Sequence, residues 1–172
     1  MSSVLPPDSL LRHLALTRSD DPSATHLGVV GDTYTILLSG KDTAGQFCLI
    51  DMFVPPGGGP PPHRHDFEES FILLEGQLQA TFRGEHTTVA AGSTIHIPAN
   101  APHQFHNVST EHARMLCICS PAGQEEFFQE VGVSVATRTT PPPALSEEES
   151  KAFMAKALSL MPKYKTEMVQ PG

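Results

Sequence analysis

Two short stretches of the chain concentrate residues able to hold a metal ion. The first runs Gly57, five residues, His63-Arg64-His65, three residues, Glu69, six residues, Gly76. Two histidines separated by one residue on an extended chain point to the same side, so their imidazoles can approach one ion together. Glu69 adds a carboxylate oxygen after a short irregular stretch, and the flanking glycines permit tight turns. The second stretch runs Gly92, five residues, Pro98-Ala99-Asn100-Ala101-Pro102-His103, three residues, Asn107. It offers a third imidazole, placed by a proline-defined turn. If strands of the two stretches face each other inside a barrel, His63, His65, Glu69 and His103 make a site of three nitrogens and one oxygen. On a six-coordinate metal that set leaves two positions for substrate or dioxygen, whereas a closed structural zinc site more often uses thiolates. Any one of these histidines alone would be read as a solvated or core residue. The four together favour the ligand set. Glu68 is the rival carboxylate and is expected to point away.

Elements that could hold such a site follow from the rest of the pattern. From His26 onward, short apolar runs alternate with turn signals: Gly31-Asp32, Gly40 through Gly45, Arg83-Gly84-Glu85, Ala91-Gly92. Leu78, Ala80 and Phe82 alternate with polar neighbours, the period of a half-buried strand. The prolines between Pro55 and Pro62 lack the donors a ladder needs, so that stretch ends a strand. About nine or ten short strands in residues 26–120 predict an antiparallel sandwich or barrel. Residues 1–25 read as a peripheral arm with a short helix near Leu10–Leu16. In residues 121–172 a helix is expected over Gln124–Val131, with Gly132 as its C-terminal cap. A second helix follows the prolines 141–143, opened by a capping box of Ser146 and Glu149. Its stripe of Phe153, Met154, Ala157, Leu158 and Met161 predicts a helix packed on the outside of the barrel.

Charge and cysteine usage narrow the function classes. Eleven basic against 19 acidic residues give −8, with no basic run, which argues against nucleic-acid and anionic-membrane partners. No apolar stretch approaches a transmembrane length, and Arg12 and His13 interrupt the only apolar N-terminal segment, so cytoplasmic residence is the expectation. Cys117 and Cys119 share one face of an apolar strand, where two near neighbours are poorly placed to bridge. Buried structural thiols are favoured over a metal site there. His106 should point opposite to His103, while His13, His26, His86 and His112 read as surface or turn residues.

At the two stretches the chain resembles the cupin superfamily, whose motifs are G(X)5HXH(X)3–4E(X)6G and G(X)5PXG(X)2H(X)3N. The first is matched throughout. The second is matched except that Asn100 stands at a glycine position, and Asn adopts positive φ more readily than most residues. The resemblance covers about residues 26–120 and is nearest to small single-domain cupins related to quercetin dioxygenases. It implies an all-β, single jelly-roll barrel enclosing one divalent transition metal per chain (Fe, Mn, Ni, Cu or Zn), and a homodimer. It implies His63, His65, Glu69 and His103 as metal ligands, with Glu69 also taking the proton of a bound substrate. Alternation from Glu69 and His103 brings Phe71, Leu73 and Phe105 to the same side, an apolar pocket for a small molecule. Whether His96 lines that pocket stays open, because Pro98 interrupts the alternation. The leading expectation is a dioxygenase acting on a small aromatic or enolisable substrate. A lyase, isomerase or polyketide cyclase with the metal as Lewis acid, and a ligand-binding protein without turnover, are the alternatives.

Overall fold

The computed structural model describes residues 4–170. Residues 4–24 form no regular element, and the helix expected near Leu10–Leu16 is not formed. Leu10, Leu11, Leu14 and Leu16 are all exposed, so no buried face supports a segment too short to be helical by itself.

Regular structure begins with β1 (Thr25–Val29) and β2 (Asp32–Leu38). Val30 and Gly31 between them both have positive φ, 50° and 93°, the turn that matches the twist of a tight hairpin. One helical turn, α1 (Gly40–Thr43), leads to β3 (Cys48–Val54). Then come β4 (His63–His65), β5 (Glu68–Glu75), β6 (Gln77–Phe82), β7 (Glu85–Ala90), β8 (Thr94–Ile97), β9 (His103–His106) and β10 (Ala113–Ser120). After a turn at Ser120-Pro121 follow α2 (Gln124–Val131), β11 (Val133–Ser134), α3 (Glu147–Leu160), a 3-10 turn at Met161–Tyr164, and β12 (Thr166–Met168). The strands form two antiparallel sheets, ordered β11-β1-β2-β3-β10-β5-β8 and β12-β4-β9-β6-β7. This is an all-β jelly-roll arrangement with few helices.

Strict alternation fills the space between the sheets. In β10, Ala113, Met115, Cys117 and Cys119 are buried, and in β5, Glu69, Phe71 and Leu73 are. Register joins these residues into rows across the larger sheet. Tyr34, Met52, Met115 and Leu73 form one row, Ile36, Ile50, Cys117 and Phe71 the next, and Cys48, Cys119 and Glu69 the third. Glu69 is thus the polar end of a row that is otherwise core.

The segment between β3 and β4 is fixed against the loop after β9. Gly57 N donates to Asn107 O at 2.8 Å and Asn107 N donates to Gly58 O at 2.9 Å. Gly59 (φ 123°) passes so close to β9 that a Cβ there would lie 2.2 Å from Phe105 O. No other residue fits this approach. The Asn107 side chain donates to Val54 O and Glu111 O and accepts from Ser109, tying three loop segments together. Asn100 takes positive φ, 68°, as expected, and its N–H donates to His65 O at 2.7 Å.

Both expected helices form. Ser146 Oγ accepts from Glu149 N at 3.2 Å and the Glu149 carboxylate reaches back to Ser146 N, the reciprocal cap that the sequence predicts. Past residue 120 the chain also returns to the sheets, which sequence periodicity did not indicate. β11 pairs with β1, and β12 pairs with β4 so that Thr166 lies opposite His65 and Met168 opposite His63.

Candidate metal centre

The four motif residues converge. His63 and His65 leave β4 on the same side, His103 leaves β9 directly opposite His63, and Glu69 comes from β5 in the other sheet. Their ligand atoms all lie within 4.8 Å of one another. Ring centroids are 4.4 Å apart for His63 and His103 and 4.8 Å for His65 and His103. His65, Glu69 and His103 are buried, and His63 is half-buried at the edge of the cavity.

Each imidazole is oriented by its own backbone. Nδ1 of His63 lies 2.9 Å from Pro61 O, Nδ1 of His65 lies 3.0 Å from Phe67 O, and Nδ1 of His103 lies 2.9 Å from Ala101 O. A carbonyl only accepts, so each Nδ1 carries the hydrogen and each Nε2 presents a lone pair to the centre. Yet Nε2 of His65 and of His103 face Glu69 Oε2 at 3.1 and 3.0 Å. Lone pairs directed at a carboxylate oxygen repel unless positive charge lies among them. A divalent cation supplies that charge to all four groups at once, and the donor set therefore fits one. Without it the charge must come from protons. Burial works against a charged Glu69, but hydrogen bonds from His103 and His65 outweigh it and hold the carboxyl well below its usual range. Burial also works against a protonated His103, and contact with Glu69 raises its pKa nonetheless. His63 lacks that contact and is pushed down to about 4, by burial and then by repulsion from His103.

The other oxygen of Glu69 rests on sulfur. Oε1 accepts from Cys117 Sγ at 3.3 Å and from Cys119 Sγ at 3.6 Å. The two sulfurs are 3.6 Å apart and, with Cys48, are free buried thiols. Burial pushes the Cys117 thiol up to about 12, so it stays protonated and donates. Glu69 is thereby held with Oε2 toward the histidines. The sequence placed these thiols on one buried face but gave no sign that Glu69 would meet them.

A cavity opens beside the cluster. His63 and Glu69 form part of its wall, with Phe71 and Phe105, whose rings meet edge to face at 5.6 Å. Leu73 is buried in the core but does not line this cavity. His96 does not line it either. It sits opposite Ser70 on the outer face of β5 and β8, where Nε2 pairs with Glu68 at 3.0 Å, the two side chains 57% and 51% exposed. Glu68 points outward, as its alternation with Glu69 requires. His106 lies away from the cluster, its Nδ1 donating to Gly58 O. The expectation that His26 is a surface residue is corrected. It is buried, with Nδ1 at 2.8 Å from Thr35 Oγ1 and Nε2 at 3.0 Å from Asp21 O. His13, His86 and His112 are exposed.

Several lining residues had no sequence signal. Phe127, Phe128 and Val131 of α2, and Phe153, Met154 and Ala157 of α3, close one side of the cavity. The helical stripe of α3 therefore contributes Phe153, Met154, Ala157 and Met161 to the cavity wall, while Met154 is also partly and Leu158 more fully open to solvent. Asp32 and Tyr34 of β2 also line it. Asp32 Oδ2 accepts from Tyr34 OH at 2.9 Å and Oδ1 from Gly59 N at 3.2 Å. Burial pushes the Asp32 carboxyl up to about 7, only partly offset by these two donors.

A family model described as a cupin domain matches residues 50–119, which span both motifs. The polyketide synthase protein CurC of Streptomyces cyaneus is 31% identical over 121 residues, covering 69% of this chain and 73% of that protein. The chain belongs to the cupin superfamily. Quercetin 2,3-dioxygenase of Bacillus subtilis is 29% identical to this cupin over 100 residues, which is 58% of the chain but 29% of that enzyme. Among solved structures, the polyketide cyclase RemF of Streptomyces resistomycificus superposes with a TM-score of 0.54 at 23% identity, covering 87% of this chain and 96% of RemF. At that identity the superposition shows the shared fold. No helix among the described residues is long and apolar enough to cross a membrane.

Proposed function

We propose that this cupin is a metal-dependent enzyme for a small aromatic or enolisable substrate, and that its reaction is a dioxygenation of the quercetinase type. The observation that carries the metal-dependent part is the aim of two Nε2 lone pairs, of His65 and His103, at Glu69 Oε2, with His63 beside them at the edge of an apolar cavity. His63, His65, Glu69 and His103 would hold a divalent transition ion, which supplies Lewis acidity and, when redox-active, a route for electrons to dioxygen.

The chain's own residues account for the rest. Phe71 and Phe105 offer an edge-to-face aromatic wall on which a planar substrate stacks. Glu69 is the base, because it is buried, lines the cavity and is held ionised. It accepts the proton of a substrate hydroxyl and leaves an enolate or phenolate. The Cys117 and Cys119 thiols keep Oε1 occupied, so the proton arrives at Oε2. Phe127, Phe128 and Phe153 close the side toward solvent and keep water from the deprotonated substrate.

A second reading keeps the same first step and ends in ring closure without dioxygen. What favours it is coverage: the similarity to CurC extends over 73% of that protein, and that to quercetin dioxygenase over 29% of the enzyme. Oxygen uptake separates the two. With iron-, manganese-, nickel- or copper-loaded protein and a flavonol or diketone, consumption of dioxygen that stops in the His103→Ala variant supports dioxygenation. Turnover of a polyketide-like precursor at the same rate under argon, also with zinc, would replace it with cyclisation.

A further inference from the structure

The cavity has a second polar end that the metal chemistry does not use. Asp32 is 1% exposed and sits on a mostly apolar wall that includes Val29, Met52 and several phenylalanines. Its row on the larger sheet is not that of the metal ligands. Tyr34, its hydrogen-bonded neighbour, shares a row with Leu73, and Glu69 lies two rows further along β5 and three strands across. The two carboxyls therefore face one cavity from separated positions. Buried carboxyls in apolar walls are expensive, and among the described residues the fold retains this one with only a phenol and one backbone N–H as hydrogen-bond partners. Gln124 at the start of α2 is 8% exposed, lines the same cavity, and its Oε1 has no hydrogen-bond partner among the described residues. Two polar side chains on an apolar wall, one of them unpartnered, mark a place where a ligand supplies hydrogen bonds.

We propose that Asp32, oriented by Tyr34 and Gly59, is a substrate-binding residue that grips an oxygen at the end of the substrate remote from the metal-binding oxygens. The inference rests on the aromatic, metal-held substrate proposed above and adds to it a shape: an elongated polycyclic molecule, apolar in its middle, with oxygens at both ends. Asp32 takes such a hydroxyl either as acceptor or, when neutral, as donor to a carbonyl. At neutral pH both forms are present, because burial raises its pKa to about 7. A molecule with oxygens at the metal end only leaves Asp32 without that contact.

Two flavonols serve as probes. Quercetin and 3-hydroxyflavone share the 3-hydroxy-4-keto pair that a metal takes, and only quercetin carries further hydroxyls away from it. Their dissociation constants are measured by fluorescence titration under argon with zinc-loaded parent, Asp32→Val and Tyr34→Phe proteins. The parent should bind quercetin about tenfold more tightly than 3-hydroxyflavone, the worth of one hydrogen bond in a dry site. Asp32→Val should abolish that ratio and leave 3-hydroxyflavone within about twofold of the parent. Tyr34→Phe keeps the carboxyl but frees it, and should reduce the ratio part of the way, so the proposal stays testable if Asp32→Val does not fold. A ratio near one in the parent, or a tenfold ratio that survives both substitutions, overturns the assignment of Asp32 while leaving the aromatic, metal-held substrate standing. Failure of 3-hydroxyflavone to bind the loaded parent overturns that substrate and this inference with it.

Discussion

Two carboxyls buried against one cavity respond to burial in opposite directions. Glu69 meets two imidazoles at 3.0–3.1 Å and stays ionised. Asp32 meets a phenol and a backbone N–H and is pushed up to about 7. Both pay for leaving water. The difference lies in whether a partner can carry positive charge, which offsets desolvation far better than a neutral donor does. A third carboxylate completes the contrast. Glu68, next to Glu69 in sequence, holds His96 at the same 3.0 Å, but with both side chains more than half exposed. Equal geometry thus yields a buried candidate metal site on one face of β5 and an ordinary surface pair on the other.

Breaking the metal end should give the largest effect. Glu69→Gln and His103→Ala remove one ligand each and should weaken metal binding by at least about 100-fold, read as metal per chain after dialysis against a chelator. A cooperative melt should remain, because the core rows above Glu69 are untouched. Full metal content in either variant would dismantle the contrast between Glu69 and Asp32.

Next in size is the stability cost at Asp32. Its folded pKa is raised above the unfolded value, so in the folded state it holds a proton that the unfolded chain has released. The cost is absent below about pH 4, grows through about pH 7 and is constant above that, on the order of 2–4 kcal/mol. Metal-stripped parent should therefore lose stability across that window relative to Asp32→Asn, checked by urea unfolding at its two ends. Parallel curves for the two proteins would mean that Asp32 ionises freely in the fold.

Smaller again is the roof of the cavity. Ser146→Ala removes the N-cap of α3 and should cost about 1 kcal/mol. Hydrogen exchange in α3 should quicken while metal affinity holds, separating the roof from the metal end. Smallest is the surface pair: Glu68→Ala or His96→Ala should change stability by no more than about 0.5 kcal/mol and leave metal content unchanged. A loss of metal in either would contradict the two-faced character of β5.

The metal end was legible because its parts are local. His63-X-His65 on a strand, Glu69 in the next strand, and His103 after a proline turn carry their geometry in their spacing. Asn100 could be trusted at a glycine position because its requirement is a single backbone angle. The Asp32 end was not legible. Nothing within ten residues of Asp32 announces a cavity; the wall is assembled from β2, the loop at Pro60 and Pro61, and two helices that follow far along the chain, α2 and α3. His26 was misjudged for a related reason. A polar residue at the edge of a predicted strand looks exposed until partners from Thr35 and Asp21 are placed around it. For His96, the alternation that decides the face was interrupted by Pro98, and only the register with Ser70 shows it turned outward.

The pairing of β12 with β4 bears on how the protein is handled. The strand that carries His63 and His65 is three residues long and is clasped on its free side by Thr166, Glu167 and Met168. Anything attached just beyond those residues, such as an affinity tag, pulls on the strand that sets the imidazoles. A tag on the other side, ahead of the exposed segment that precedes β1, has no such lever.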